Sequence, residues 1–556
     1  MVKRVLNFVY REVRGLHQAA YIIALFSVGS QILAIVRDRL LAHTFGAGFE
    51  LDLYYAAFRI PDLLFVLFAS VLSIYVLLPF VNKYSQTVDK KAGAEVLTQI
   101  FTLFLYVYVL VAGALALTAE WYVPHMFPGF AGEYESLVAL LQILLLQPFL
   151  LGLSSLCGVV TQMNHRFILY ALSPLLYNVG IILGIVLLYP LFGIVGLAIG
   201  VVVGAIGHLL IQLPFVVRSD YAFGLSSRIK WGLISKILSV SIPRAFTLSV
   251  NQIVLLVLIG IASSMSEGSV SVFQFAFNLQ SVPLAIIGMS YSVAAFPTLS
   301  HLYAKSDHDG FNRQLLTALR HIIFWAVPVI GLVVVLRAQI VRVLLGSGQF
   351  DWSDTRLTAA VLAIFVLSLF AQAILLLLIR AFYAGGRTKL PLFVAIFGGS
   401  ISIASAFILQ KIYLSNVDFQ LFLNDLFRLS EVEGAEILVL ALAFIVGQLI
   451  QLVLLLAFSR RAFMVSYRSL IRLTIQACLA SVAGGISAYV TLVFVVDGVN
   501  QDTFIGIMLQ GVSAGVMGVI AVILTYLAMR SSEINEIYRS FHTKIFKTDV
   551  IAPQDN

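Results

Sequence analysis

Hydrophobic residues form long runs along this chain, and polar residues gather in short stretches between them. Fourteen runs reach the length of about 18 residues that a helix needs to cross a bilayer. They cover roughly residues 19–44, 50–82, 97–118, 136–163, 167–189, 191–217, 240–263, 270–298, 315–336, 357–384, 390–411, 436–458, 469–495 and 504–529. The pattern predicts an all-α polytopic membrane protein with about 14 transmembrane helices.

The second half of the chain echoes the first at an offset of about 220 residues. Residues 27–33 are loosely similar in sequence to residues 248–254, and residues 164–167 are similar to residues 385–388. Duplicated membrane halves are typical of transporters, whose substrate binds between the halves. The repeat predicts a six-helix lobe at 1–230, a second at 231–460, two extra transmembrane helices at 461–530 and a cytoplasmic tail at 531–556.

Basic residues lie mainly on one side of the predicted membrane. With the N-terminus inside, 26 of the 35 lysines and arginines fall in the N-terminal segment, the even-numbered connections and the C-terminal tail. This positive-inside pattern predicts a multi-pass protein of the cell membrane with both termini cytoplasmic. It also explains the net charge of +8 without nucleic acid as a partner. Residues 412–435 read either as an amphipathic helix on the outer surface or as a plain loop.

Ionisable residues inside membrane spans are costly and by default suggest function. On span one, Ser30 and Arg37 lie seven residues apart, as do Gln31 and Asp38, so the two pairs share one helix face. On span two, a polar stripe contains Asp52, Tyr55, Arg59 and Asp62. Pro61 in the same span removes a backbone donor and is expected to bend the helix.

These polar faces predict a water-filled cavity in which Arg37 and Arg59 grip a phosphate. A structural interpretation stands beside this one. Arg37 and Asp38 could lie at the outer interface, Asp52 could cap the start of span two, and Arg59 could pair with Asp62 to hold two spans together.

The second half carries a neutral stripe that includes Asn278, for which interhelical hydrogen bonding is the common explanation. Arg244, which follows Pro243, either extends to the cytoplasmic surface or reaches the cavity from the second lobe.

There is no G-x-x-x-x-G-K-[ST] phosphate loop and no spaced His, Cys or Glu cluster. We therefore expect no metal, no cofactor and no enzymatic activity. Cys157 and Cys478 read as small apolar side chains within spans.

The motifs of the N-terminal half resemble those of the MurJ (MviN) lipid II flippases. The similarity runs through Val36–Ala42, Phe45–Gly48, Asp52 and Ala57–Leu64 and continues in order along nearly the whole chain. Several positions depart from the family pattern. Gln31 stands where the family usually has Arg, Phe277 and Asn278 stand where it usually has Asp-Arg, and Ser70 replaces a Glu.

The resemblance implies a multidrug/oligosaccharidyl-lipid/polysaccharide exporter fold, with two extra helices forming a groove for a lipid tail. It implies translocation of an undecaprenyl-pyrophosphate-linked peptidoglycan precursor, lipid II, in the presence of membrane lipids and with cell-wall synthesis enzymes as candidate partners. The candidate substrate-binding residues are Arg37, Asp38, Asp52, Arg59, Ser30, Gln31, Asn278 and Arg244. The alternatives are export of another lipid-linked oligosaccharide or a non-transporting scaffold for cell-wall enzymes.

Overall fold

A computed structural model describes residues 12, 16–87, 89–496 and 503–534 of the chain. This described part consists of helices and turns and contains no β-strand. It includes fourteen helical segments that are long and apolar enough to cross a membrane, at positions that match the predicted spans. The all-α polytopic fold is therefore confirmed. The basic residues of the N-terminal segment (Lys3, Arg4, Arg11 and Arg14) and the tail beyond residue 534 lie outside the described residues.

The first six spans comprise twelve helices, because several spans are interrupted by turns. They are α1 (Leu16–Phe45), α2 (Phe49–Ala57), α3 (Arg59–Val71), α4 (Ile74–Thr87), α5 (Lys90–Leu117), α6 (Ala119–Met126), α7 (Tyr134–Leu144), α8 (Leu146–Met163), α9 (Phe167–Leu183), α10 (Tyr189–Phe192), α11 (Ile194–Leu210) and α12 (Leu213–Val217). A wider π-helical turn, Gly184–Leu188, joins α9 to α10.

The remaining spans are formed mostly by single long helices. They are α13 (Trp231–Ser263), α14 (Ser269–Pro283), α15 (Ser290–Ala304), α16 (His308–Leu344), α17 (Trp352–Ala384), α18 (Lys389–Ser415), α19 (Val417–Phe427), α20 (Leu438–Phe463), α21 (Arg468–Val496) and α22 (Phe504–Ala528). A π-helical turn, Leu284–Met289, follows Pro283. Because α19 lies within residues 412–435, the helical interpretation of that segment is confirmed and the plain loop is excluded.

Pro61 explains why span two is broken near its polar stripe. A proline has no N–H, and its ring crowds the carbonyl four residues earlier, which here is Ala57. The helix ends at Ala57, and a new helix begins at Arg59 after the single turn residue Phe58. Phe58 itself keeps right-handed helical dihedrals (φ -73°, ψ -21°), so the interruption between α2 and α3 is local.

Glycines bring α9 and α11 into close contact. A Cβ added at Gly180 would lie 2.2 Å from the Cα of Gly204, and one added at Gly200 would lie 2.3 Å from the Cα of Gly184. No side chain fits at such distances, so the two backbones meet through small residues as in other membrane helix pairs. This contact fixes α9, which also packs against α1 and carries Asn178 beside it.

The helices group into two compact units. The first contains residues 1–275, 344–358 and 388–444, and the second contains residues 276–343, 359–387 and 445–556. Compactness is a different property from internal sequence similarity. The division of the repeat at residues 230 and 460 therefore stays a prediction.

Candidate functional site

Arg37 lies at the start of a hydrogen-bonded chain in the first compact unit. Its Nε and Nη2 donate to Oδ1 of Asp38 at 2.9 and 2.7 Å, and its Nη1 donates to Oδ1 of Asn178 at 3.2 Å. The Arg37 side chain keeps 22% of its surface exposed, so the guanidinium is partly shielded but still reachable. Arg37 therefore makes the polar contacts expected of the predicted polar face of span one.

Asn178 positions Arg37, and the sequence analysis did not include it among the site residues. Its Nδ2 donates to the hydroxyl of Ser30 at 3.2 Å and to the carbonyl of Pro174 at 3.1 Å. The amide therefore holds both Ser30 and Arg37 of α1 from a neighbouring helix. A polar asparagine in the middle of an apolar span was the signal that could have identified it.

Arg59 is the most buried cation of the site, with 6% of its surface exposed. Its Nε donates to the carbonyl of Tyr55 at 3.2 Å, and its Nη2 donates to Oε1 of Gln274 at 2.9 Å. The nearest carboxylate oxygen of Asp62 lies 4.0 Å from the same Nη2. The predicted Arg59–Asp62 pair is present, and Gln274 of α14 supplies a neutral partner that sequence reasoning did not assign to the site.

Asp62 and Tyr55 connect the two arginines into one cluster. The carboxylate of Asp62 lies close enough to both guanidinium groups to interact electrostatically with each, and the same holds for the phenol of Tyr55. The Tyr55 hydroxyl is buried and has no hydrogen-bond partner among the described residues. We call Arg37, Asp38, Arg59 and Asp62, with their partners Tyr55, Asn178 and Gln274, the arginine cluster.

Asp52 hydrogen-bonds to the start of a different helix, a contact that the sequence analysis did not predict, and its contact with substrate stays a prediction. Its Oδ2 accepts from the backbone N–H of Gly268 at 2.8 Å, and its Oδ1 accepts from the N–H and hydroxyl of Ser271 at 2.7 and 2.5 Å. These donors lie at the start of α14, where the first N–H groups have no partner within the helix. Asp52 therefore caps α14 rather than its own helix, and both of its oxygens are occupied.

The remaining candidate residues lie in different places. Gln31 is exposed on α1, one position beyond Ser30. Arg244 is half-buried within α13, a helix that packs along α3 and α4 of the first unit. Asn278 is half-buried in the second compact unit. Substrate contact by these three residues stays a prediction.

The described residues hold no group of three or more His, Cys, Asp or Glu side chains that could bind a metal ion. Of the two cysteines, Cys157 is buried and Cys478 is exposed, and both are free thiols. What the arginine cluster offers chemically is two guanidinium groups, each suited to bidentate contact with phosphate oxygens.

Comparison with known proteins gives the family. The sequence model of the family described as "Lipid II flippase MurJ" matches residues 41–509, which is most of the chain. The chain belongs to the MurJ lipid II flippase family. Membership confirms the resemblance found in the motifs and, with the fourteen apolar helices, identifies a multi-pass inner-membrane transport protein.

Two curated members of the family are 25% and 28% identical to this chain over the aligned regions. The "Probable lipid II flippase MurJ" of Vibrio cholerae is 28% identical over 72% of this chain and 78% of its own length. The "Lipid II flippase MurJ" of Burkholderia cenocepacia is 25% identical over 69% and 76%.

Solved structures show the same fold. "Lipid II flippase MurJ, inward closed conformation" aligns over 94% of this chain and 99% of its own with a TM-score of 0.70 and 23% identity. An inward-facing MATE family multidrug transporter of the MOP superfamily aligns over 78% and 94% with a TM-score of 0.63 and 13% identity. The exporter fold implied by the resemblance is therefore confirmed.

Proposed function

We propose that this protein moves lipid II across the cytoplasmic membrane by alternating access and that the arginine cluster holds its pyrophosphate. The observation that carries the proposal is a pair of buried or half-buried arginines, each beside its own aspartate, inside a chain of the flippase family. Isolated charges inside a membrane protein are too costly to persist without a partner or a function.

Arg59 is suited to the first contact with a phosphate. Its Nε and Nη2 have neutral acceptors, and its Nη1 makes no hydrogen bond with the described residues. The nearest carboxylate oxygen, on Asp62, lies at 4.0 Å, beyond hydrogen-bonding distance. A phosphate oxygen can therefore approach Nη1 before any existing hydrogen bond is broken. The unpaired hydroxyl of Tyr55 is a second donor for the same ligand.

Arg37 supplies the second positive charge, because a pyrophosphate with two or more negative charges requires more than one cation where water is scarce. Its Asp38 contacts neutralise it at rest. Asn178 holds the guanidinium from the other edge while Asp38 is exchanged for a phosphate oxygen. Asp38 and Asp62 are the two acids of the cluster that can accept a coupling proton.

The proposal also includes the side of the membrane on which the termini and helix α19 lie. Both termini lie in the cytoplasm, as the distribution of basic residues predicts. Helix α19 lies on the outer membrane surface, since Val417, Leu421, Phe422 and Leu426 are exposed apolar residues on it while Leu423 is buried. Cell-wall synthesis enzymes that use lipid II on that side are the expected partners.

Complementation tests the proposal directly. A bacterial strain depleted of its own lipid II flippase should grow with the parent protein and fail with Arg59→Ala or Arg37→Ala. Arg228→Ala removes one exposed cation from the same unit outside the cluster and should complement fully. Failure of the correctly inserted parent protein to complement would favour export of another lipid-linked oligosaccharide, and equal growth with all variants would remove the cluster from the mechanism.

A further inference from the structure

The second compact unit contains a cavity of about 580 Å³ with a strongly cationic lining. Arg313, Arg320, Arg472 and Arg530 all line it, and Glu533 is the one acidic residue among its described lining residues. None of these residues is part of the arginine cluster. Four arginines around one cavity are not explained by the positive-inside rule, which fixes the side of the membrane but not convergence on one space.

The spacing of the residues places them on converging helix faces. Arg313 and Arg320 are seven residues apart on α16, and Arg472 and Gln476 are four residues apart on α21, so each pair shares one face. Arg530 follows the end of α22. Two helices and the residues that follow a third therefore contribute cations to the cavity.

Packing beside the cavity holds these helices in place. The hydroxyl of Tyr526 on α22 donates to the carbonyl of Phe324 on α16 at 2.9 Å, and the two rings stack with centroids 4.3 Å apart. The Nε2 of Gln476 on α21 donates to the carbonyl of Met529 at 3.2 Å. The cavity is therefore formed before any ligand enters it.

The single acid neutralises only one of the four arginines. Glu533 accepts from Nε and Nη2 of Arg320 at 2.8 and 2.5 Å and from the hydroxyl of Ser531 at 2.7 Å. The guanidinium groups of Arg313, Arg472 and Arg530 are exposed and make no hydrogen bond or ion pair within the part of the chain that the structure describes. Three cations thus remain available to an anionic ligand.

An apolar cavity of about 480 Å³ is lined by residues that neighbour those of the basic cavity along the chain. It is lined by α16 and α22 side chains that begin one turn beyond Arg320, at Phe324, and it includes Ile534, the residue after Glu533. A ligand that fills both spaces has an anionic head and a hydrocarbon tail. This combination argues against a free inorganic anion, which has no use for the apolar space.

We propose that the basic cavity binds the phosphate of an anionic membrane phospholipid, whose acyl chain lies in the apolar cavity. Basic pockets between transmembrane helices are established sites for anionic lipid headgroups. None of the basic-cavity arginines belongs to the arginine cluster, so a transport failure and a failure of lipid binding can be told apart.

Native mass spectrometry in detergent tests this proposal with dioleoyl phosphatidylglycerol as the probe and dioleoyl phosphatidylcholine as the neutral comparison. The parent should retain phosphatidylglycerol more tightly than phosphatidylcholine. Arg313→Gln/Arg472→Gln should weaken phosphatidylglycerol binding by about 30-fold, because two headgroup cations are lost. Arg460→Gln/Arg461→Gln removes two exposed arginines that do not line the cavity, and binding should stay within about twofold.

Three results would overturn the proposal. Equal retention of the two lipids would exclude a headgroup site, and complete displacement by an equal concentration of inorganic phosphate would assign the cavity to a free anion. Arg313→Lys/Arg472→Lys preserves the charge and should retain most of the binding. A loss as large as that of the glutamine variant would show that charge does not hold the ligand.

Discussion

Replacing Arg59 by alanine should weaken lipid II binding by one to two orders of magnitude. Charge-assisted hydrogen bonds contribute about 1.5–3 kcal/mol each, and 1.4 kcal/mol corresponds to a factor of ten in affinity. Arg59 can give phosphate at least one such bond through Nη1, since Nε and Nη2 are engaged with Tyr55 and Gln274. The expected loss is therefore roughly 10- to 150-fold.

The substitution also alters the resting protein, and this contribution must be separated from binding. It removes the hydrogen bond from Arg59 to Gln274 and the cation 4.0 Å from Asp62. The side chain of Asp62 keeps 33% of its surface exposed, so solvent screening limits the cost of the lost ion pair to about 1 kcal/mol. Thermal unfolding in detergent should consequently change little, while substrate affinity falls strongly.

Two variants sharpen the assay, which measures lipid II binding to purified protein. Arg59→Lys keeps the charge but cannot form a bidentate contact, so binding should recover only partly, to about tenfold below the parent. Gln274→Ala removes the resting partner but keeps the guanidinium, and binding should be equal to or tighter than that of the parent. If Arg59→Ala binds lipid II within twofold of the parent while folded, Arg59 does not hold the pyrophosphate.

Four further predictions concern single side chains. Asn178→Ala should lower lipid II affinity less than Arg37→Ala does, because it misplaces the second cation without removing it; binding measurements on the two variants check the order. Asp52→Asn should lower thermal stability by about 1–3 kcal/mol, since a neutral amide cannot accept all the α14 donors, and flippase activity should fall only in step with the folded fraction. Asn278→Arg should be tolerated in complementation and, if the residue faces the substrate, should tighten lipid II binding by up to about tenfold. Burial raises the pKa of Glu533, but hydrogen bonds from Ser531 and Arg320 outweigh this effect and hold the pKa below its usual value of 4.5. The ionised Glu533 therefore stabilises the folded protein at neutral pH, and this stabilisation is lost as the pH falls through the lowered pKa. Thermal unfolding measured across the acid range should show a smaller loss of stability for Glu533→Gln than for the parent.

The membrane spans could be predicted from the sequence because each depends on a local property. A run of apolar residues long enough to cross the bilayer core is stable there as a helix, and the interruption after Ala57 lies where Pro61 removes a backbone donor. The Arg59–Asp62 pair was also predictable, since both residues lie within one turn of the same helix. Local spacing is sufficient for such features.

Contacts between distant segments were not predictable in this way. Asn178 meets Arg37 across 141 residues, and Asp52 meets Ser271 across 219 residues. The polar stripe correctly marked Asp52 as unusual, but its partner depends on which helix N-terminus packs beside it. Likewise, Gln274 belonged to a neutral stripe with a common explanation in helix packing, and only the fold brings it to Arg59.

The positive and negative charges of the arginine cluster balance before substrate binds, and their arrangement determines which arginine a phosphate contacts first. The cluster contains two arginines and two aspartates, and Asp38 already occupies the Nε–Nη2 edge of Arg37 with one oxygen. A phosphate needs that same edge for a bidentate contact, so it must displace Asp38 or wait until Asp38 takes a proton. At Arg59 the acceptors of Nε and Nη2 are neutral, Nη1 is open to a first phosphate oxygen, and the nearest carboxylate oxygen, on Asp62, stands 4.0 Å away. The pyrophosphate should therefore contact Arg59 first, and the exchange of Asp38 for phosphate at Arg37 becomes the step that couples substrate arrival to rearrangement of α1 and α9.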